Sequence, residues 1–261
     1  MKKLLITGAN GYIARNIIKA FKGIYDIENI THTSCDLTLK YNVDNFFQSK
    51  YFDCVIHTAI QGGRRTKEDS KDIVFNNTLM FMNLMDNKGS FGKFINLGSG
   101  AEIYAPTTPY GLSKKLIYQI GRQYPEFVSL RIFNVFNEDE APDRMIYNNI
   151  VNHISYKSLH VHQNRYMDFF SMEDFLKVLE YTIEMETDNC INCCYDKKYT
   201  LNDIIDIINR RESVLRQVTI DKPGIGSAYI GKSNLPLLDY TGLVLSIDKM
   251  YNKIKHLIFT D

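Results

Sequence analysis

The chain has 261 residues, 44% of them hydrophobic and 23% charged, enough to bury one substantial core with room for a smaller lobe. Its 31 Lys and Arg against 30 Asp and Glu leave a net charge of +1 with no long run of either sign. That balance offers no electrostatic footprint for nucleic acid or an anionic membrane, so any anionic ligand must be held locally.

No apolar stretch reaches the roughly 18 residues that a membrane-spanning helix needs. Five cysteines, an odd number in a chain too long to need staples, point to reduced thiols in a cytoplasmic setting. The opening apolar run stops at Thr7-Gly8, too early for a signal-peptide core, and residues 3–7 are expected as a strand. Residues 12–22 follow as helix, 26–31 as strand, 42–50 as helix, 54–57 as strand, 73–87 as helix, 93–97 as strand, 109–124 as helix and 128–132 as strand. Such alternation, with strands that are apolar throughout, predicts an α/β fold with a doubly wound parallel sheet covered by helices on both faces. After Asn134 the pattern loosens. Helices are expected at 145–155, 174–184, 201–210 and 246–257, with a loop at Pro223-Gly224-Ile225-Gly226-Ser227. The expected division is a sheet domain at 1–135, to which 165–184 returns, and a smaller α/β carboxyl-terminal lobe from 136–164 and 185–261.

The segment Gly8-Ala9-Asn10-Gly11-Tyr12-Ile13-Ala14 directly follows a strand and opens a helix. Gly8 lets the chain turn, Gly11 lets backbone approach a pyrophosphate, and the small Ala14 lets helix and strand pack closely. A glycine pair in a tight turn is by itself only conformational; the strand and helix around it make this a Rossmann-type dinucleotide loop. Tyr110-Gly111-Leu112-Ser113-Lys114 places a phenol and an ammonium on one helix face. A phenol ionises near pH 10, and a neighbouring cation lowers that value, which makes the pair suitable for acid-base work.

With these two motifs on the page, the chain resembles the extended short-chain dehydrogenase/reductase superfamily, in its nucleotide-sugar epimerase, dehydratase and reductase branch. Further matches lie between and beyond them over about the first 180 residues. Asp36-Leu37-Thr38 resembles the adenine-contacting segment, His57-Thr58-Ala59-Ile60 the His-x-Ala-Ala stretch, and Asn77 with Asn83 the helix motif. Leu130-Arg131-Ile132-Phe133-Asn134-Val135 resembles the Leu-Arg-x-x-Asn-Val strand, and residues 168–174 the Asp-Phe-x-x-Val-x-Asp stretch returning to the sheet. The resemblance implies a cofactor site of Gly8, Asn10, Gly11, Tyr12, Ile13, Thr31, His32, Asp36, Leu37, Thr58, Ala59, Ile60, Asn77, Leu97, Tyr110, Lys114, Phe133 and Val135. Tyr110 and Lys114 are then the expected catalytic pair. The family's third member, a hydroxyl, falls on Gly100 when aligned back from Tyr104; Ser99 is the candidate in its place, with Thr107 or Thr108 as alternatives. A Ser99 that merely caps the turn is the competing reading.

Residues 31–34, Thr-His-Thr-Ser, offer donors for a ribose 2'-phosphate, and Glu28 lies too early to hold a 2'-hydroxyl, so NADP is favoured with NAD possible. The layout resembles the GDP-fucose synthase-like 4-keto reductases, which also epimerise using a Cys and a His. Glu102 and Arg144 stand in those places, and Arg cannot readily take a proton from carbon. The expected activity is therefore reduction of the C4 ketone of a nucleotide-linked 4-keto-6-deoxy sugar without 3,5-epimerisation. A 4-epimerase or 4-dehydrogenase, or a cofactor-binding scaffold without activity, are the alternatives. Expected substrate contacts are Ser99, Gly100, Glu102, Asn134, Arg144, Asn148, Arg165 and Lys232.

Cys190-Ile191-Asn192-Cys193-Cys194, with His153, His160 and His162 the nearest partners in sequence, is read as buried strand thiols and not as a metal site. Arg64-Arg65 is either a phosphate contact or a solvated loop. The stripe Phe75, Leu79, Met82 and Met85 is core or a dimer seam, and the resemblance implies a homodimer through helices 73–87 and 113–124.

Overall fold

A computed structural model describes residues 1–63 and 67–260, and Arg64 and Arg65 fall outside them. The chain forms two compact units, residues 1–132 with 179–191 and residues 133–178 with 192–261. None of the described helices is long and apolar enough to cross a membrane.

In the first unit β1 (Lys3–Thr7), α1 (Tyr12–Phe21), β2 (Asp26–Ile30), α2 (Lys40–Phe47), β3 (Phe52–His57), α3 (Asp72–Met85), β4 (Phe91–Ser99), α4 (Ala101–Tyr104), α5 (Pro109–Gly121) and β5 (Phe127–Ile132) follow in order. β1 pairs in parallel with β2 and β3, and β3 with β4, which pairs with β5. The sheet order is β2-β1-β3-β4-β5, with β9 (Cys190–Cys193) beyond β5. The strand order reverses between β1 and β3, and their carboxyl ends open the crevice where such sheets take ligands. Leu5, Val55 and Phe94 from three neighbouring strands pack with Phe81 of α3 and Ile117 of α5, all fully buried. The continuous apolar runs are thus explained by helices on the sheet.

The second unit holds β6 (Val135–Phe136), α6 (Met145–Ile154), β7 (Leu159–Asn164), β8 (Phe170–Ser171), most of α7 (Met172–Glu184), α8 (Leu201–Asn209), β10 (Val218–Ile225) and α9 (Leu243–Thr260). Its core gathers Ile146 and Ile150 of α6, Ile204 and Ile208 of α8 and Ile247 and Ile254 of α9 around Leu159 and Val161. Thr200 caps α8 with a capping box completed by Asp203, the local reason the helix starts there.

Two expectations change. Residues 165–178 group with the second unit, because Phe170 and Ser171 pair with Val135 and Phe136 in a separate two-stranded sheet. Asp174 is also drawn there, accepting hydrogen bonds from the Thr241 and Gly242 amides at 2.9 and 3.0 Å. The loop expected at 223–227 begins later, since β10 runs to Ile225 in parallel with β7, with an irregularity between Lys222 and Ile225 that absorbs Pro223 and Gly224.

Candidate active site

Gly8 closes the end of β1 with a φ of 66°, and a Cβ there would stand 2.7 Å from the Ala59 Cα. Only glycine meets both demands. The Gly11 amide donates to the Gly8 carbonyl at 2.8 Å and starts α1, whose first turn has neither a side-chain cap nor an acidic residue. With no acidic residue in that turn, the positive end of the helix dipole favours a phosphate there. Asn10 is exposed, with its carbonyl taken by Arg15 at 2.5 Å, and Tyr12 and Ile13 are half-buried while Ala14 is fully buried. This is a backbone cradle that a side chain would fill, and it fits a dinucleotide.

Thr7 ties the two strand ends together. Its Oγ1 accepts from the Thr58 and Ala59 amides at 3.2 Å each, its carbonyl accepts from the Thr58 hydroxyl at 2.6 Å, and its hydroxyl bonds His57 Nδ1 at 2.9 Å. Burial, reinforced by the Lys114 charge, pushes the His57 imidazole down to about 3, so it is neutral, and its Nε2 is buried without a hydrogen-bond partner among the described residues. Ile60 continues this loop half-buried, and Gln61 donates its amide to Asn77 Oδ1 at 2.8 Å. Asn77 in turn donates to Ser113 Oγ at 3.1 Å, which links α3 to α5.

Past β2, Thr31, Thr33 and Ser34 form a small hydroxyl cluster beside the exposed His32. Glu28 faces away into Lys3 and Lys50, at 3.3 and 2.6 Å. Asp36 accepts from the Thr38 amide and hydroxyl; burial raises its carboxyl and these bonds, with His32, outweigh that and lower it. Leu37 is buried, and its carbonyl takes the Asn83 amide at 2.8 Å.

Tyr110 and Lys114 rise from the first turns of α5. The Lys114 ammonium donates to the Leu97 carbonyl at 2.5 Å and lies 5.8 Å from the Tyr110 ring centroid. Burial pulls Lys114 down to about 8, and Glu102 opposes the fall. Gly63 also lies against Tyr110, since a Cβ there would come within 2.8 Å of the ring.

The third position resolves into particular contacts. Gly100 starts α4, its amide bonded to the Ile132 carbonyl. Ser99 Oγ accepts the Ala101 amide at 3.1 Å, which is the turn-capping arrangement. Thr108 is the N-cap of α5, accepting from the Gly111 amide and donating to the Ala105 carbonyl at 2.8 Å, while Thr107 is exposed. A Cβ on Gly111 would collide with the Ala105 carbonyl, so glycine there allows the short path from Ser99 to Tyr110. Glu102 is buried, with Oε1 accepting the Ser99 amide at 2.7 Å and Oε2 paired with Arg131 at 3.1 Å. Its carboxylate is taken up by the protein.

The other expected residues belong to the second unit. Phe133, Asn134 and Val135 are buried, and Asn134 donates to the Asp168 carbonyl at 2.9 Å. Arg144 donates to Asn134 Oδ1 at 3.3 Å and stands 3.7 Å from Glu140, whose carboxyl burial pushes up to about 7 against the pull of Arg144. Glu140 Oε1 is buried without a hydrogen-bond partner among the described residues. Asn148 and Lys232 are exposed and Arg165 is half-buried. Cys193 and Cys194 are fully buried and Cys190 partly so; burial raises Cys190 and Cys194 to about 11. Of the Phe75 stripe, Met85 is buried and Phe75 is 67% exposed. Glu140 escaped the sequence reading, and Arg131 entered it only as the Arg of Leu-Arg-x-x-Asn-Val.

Residues 4–194 match the NAD dependent epimerase/dehydratase family. No curated protein matches. Among solved structures, a GDP-mannoheptose C4 reductase from Campylobacter jejuni with NADP bound is 14% identical, with a TM-score of 0.78 over 97% of this chain and 98% of that one. A GDP-L-fucose synthetase from Naegleria fowleri bound to NADP is 15% identical, with a TM-score of 0.76 over 99% and 94%. A UDP-glucuronic acid 4-epimerase from Bacillus cereus in complex with NAD is 19% identical, with a TM-score of 0.75 over 98% and 99%. At these identities the likeness is one of fold.

Proposed function

Because the chain belongs to the NAD dependent epimerase/dehydratase family, we propose that it reduces the C4 ketone of a nucleotide-linked 4-keto-6-deoxy sugar, GDP-linked by preference, with NADPH and without 3,5-epimerisation. The observation that carries this reading is the pairing of Tyr110 with a buried Lys114 held by the Leu97 carbonyl at the end of β4.

In this reading the first unit holds the dinucleotide through Gly8 to Ile13, with Thr31 and His32 on the adenosine phosphate, Asp36 and Leu37 at the adenine, and Thr58 to Ile60, Asn77 and Leu97 along it. The reduced nicotinamide, when bound, supplies hydride. Tyr110 donates its phenolic proton to the oxygen that gains charge, and the Lys114 ammonium stabilises the phenolate left behind. Ser99 orients the ketone through its hydroxyl, which keeps donor capacity while its oxygen accepts the Ala101 amide. Asn134, Arg144, Asn148, Arg165 and Lys232 are the proposed contacts to sugar and diphosphate.

Two observations favour simple reduction and NADP. Glu102 is committed to Arg131 and the Ser99 amide, so it is not free to move a proton at carbon. Glu28 is committed to Lys3 and Lys50, and the residues directly after β2, Thr31 to Ser34, offer donors. The half-exposed apolar face of α3 around Phe75 fits a homodimer, which sedimentation at micromolar concentration checks. The test of the activity is loss of NADPH absorbance with GDP-4-keto-6-deoxymannose and then the dTDP, UDP and CDP sugars, repeated with Tyr110→Phe. No loss with any sugar removes the reading, and full turnover by Tyr110→Phe removes the proton donor. Copurified NAD with sugar interconversion and no net oxidation would point to an epimerase instead.

A further inference from the structure

Glu102 stands in the middle of the first unit's chemistry without belonging to the loop, the phenol or the ammonium. Its side chain is 3% exposed. Oε1 receives the Ser99 amide at 2.7 Å, so the turn that carries Ser99 is hung on this carboxylate. Oε2 receives Arg131 Nε at 3.1 Å, and the guanidinium rests 4.9 Å from the Tyr118 ring centroid on α5.

The same carboxylate reaches the strand that holds Lys114. A Cβ on Gly98 would meet Glu102 Oε1 at 2.7 Å and Ser129 Oγ at 2.5 Å, and the adjacent Leu97 carbonyl is the acceptor of the ammonium. The missing side chain at Gly98 is what admits a carboxylate beside that peptide. In a dry interior the nearest opposite charge decides whether an amine stays protonated. The groups facing Lys114 and Glu102 are Tyr110, the neutral His57 and Arg131, with Cys190 and Tyr118 beyond Arg131.

We propose that Glu102, clamped by Arg131, is the positioning residue of the Tyr110–Lys114 centre: it fixes the Ser99 turn and supplies the counter-charge that keeps Lys114 an ammonium. The assignment rests on the reading of Tyr110 and Lys114 as the catalytic pair. Burial raises the Glu102 carboxyl, and Arg131, the Ser99 amide and Lys114 pull against that rise, so the pairing with Arg131 is the main opposition to its protonation.

The test is a titration of Lys114 by NMR of its labelled side chain in the cofactor-free protein, run beside the pH profile of kcat/KM for NADPH oxidation. In Glu102→Gln the Lys114 midpoint falls by about one pH unit, and the alkaline limb of kcat/KM moves down with it. KM for NADPH stays within about twofold, because the backbone cradle at Gly8 is untouched. Should the unpaired Arg131 prevent Glu102→Gln from folding, the double variant Glu102→Gln/Arg131→Gln removes both buried charges, and the same fall is expected in it. A midpoint within about 0.2 units of the unaltered protein in either folded variant overturns the proposal. A fall in the midpoint with no turnover of any sugar nucleotide upholds the electrostatic role and removes the reductase reading instead.

Discussion

Gly8 lies so close to Ala59 that a Cβ on Gly8 would stand 2.7 Å from the Ala59 Cα, so the turn after β1 packs on the turn after β3 only with glycine at position 8. Gly8→Ala must place an L-residue at a φ of 66° and push a Cβ into the Ala59 backbone. The conformational cost of about 1–2 kcal/mol adds to an overpacking cost of about 1–3 kcal/mol. The expected result is a loss of about 2–5 kcal/mol in urea unfolding and at least a tenfold weaker NADPH affinity, corresponding to about 1.4 kcal/mol. Undiminished NADPH binding by this variant would place the cofactor elsewhere.

Lys114 carries a stability cost that can be read from its pH dependence. Its value falls from 10.5 unfolded to about 8 folded, so the folded protein binds this proton less tightly. The full stability contribution is present above pH 10.5 and is lost as pH falls through 8, a difference of about 3 kcal/mol. Lys114→Met lacks that term. Relative to the unaltered protein it gains stability progressively from pH 10.5 down to 8, partly offset by the unpaired Leu97 carbonyl, while turnover is lost. A stability difference flat over that window would mean that the ammonium is not desolvated.

Glu140 has the opposite sign. Its folded value of about 7 lies above 4.5, so its stability contribution is complete below pH 4.5 and lost as pH rises through 7. Glu140→Gln removes this loss, and its advantage over the unaltered protein is expected to grow by about 3 kcal/mol between pH 4.5 and 8. Thermal unfolding across that range measures it; a constant offset would show that Glu140 is solvated.

Ser99 and Thr108 separate by which property each change touches. Thr108→Ala removes the N-cap of α5 and is expected to cost about 1 kcal/mol of stability with turnover retained within about threefold. Ser99→Ala is expected to lower kcat by about 10–100-fold with NADPH binding unchanged. If Thr108→Ala is the one that loses turnover, the hydroxyl has been assigned to the wrong residue.

What could be read from the sequence was what the chain determines locally. The strand at Lys3–Thr7, the loop from Gly8 to Ala14 and the i, i+4 pair of Tyr110 and Lys114 each follow from spacing alone. What escaped depends on partners far along the chain. Pro223 and Gly224 look like a loop until β7 provides a parallel neighbour for β10. The Asp168 to Asp174 stretch pairs β8 with β6 and not with the large sheet, which no local pattern records. Glu102 and Arg131 are 29 residues apart, and neither shows in sequence that the other neutralises it. Ser99 capping its own turn was readable, because a serine two residues before an amide in a tight turn makes that bond locally.

The strand order has a consequence for synthesis on the ribosome. β5 is apolar at Phe127, Val128 and Leu130, and β9, which lies next to it, is separated from it by the whole of residues 133–189. At roughly 5–20 residues per second, the edge of β5 waits several seconds for its cover. A nascent chain paused in that interval, or a fragment ending before Cys190, would retain Gly8, Tyr110 and Lys114 and still expose an unpaired hydrophobic edge. Such an edge is a template for aggregation, which puts the last strand of the sheet among the requirements for soluble expression.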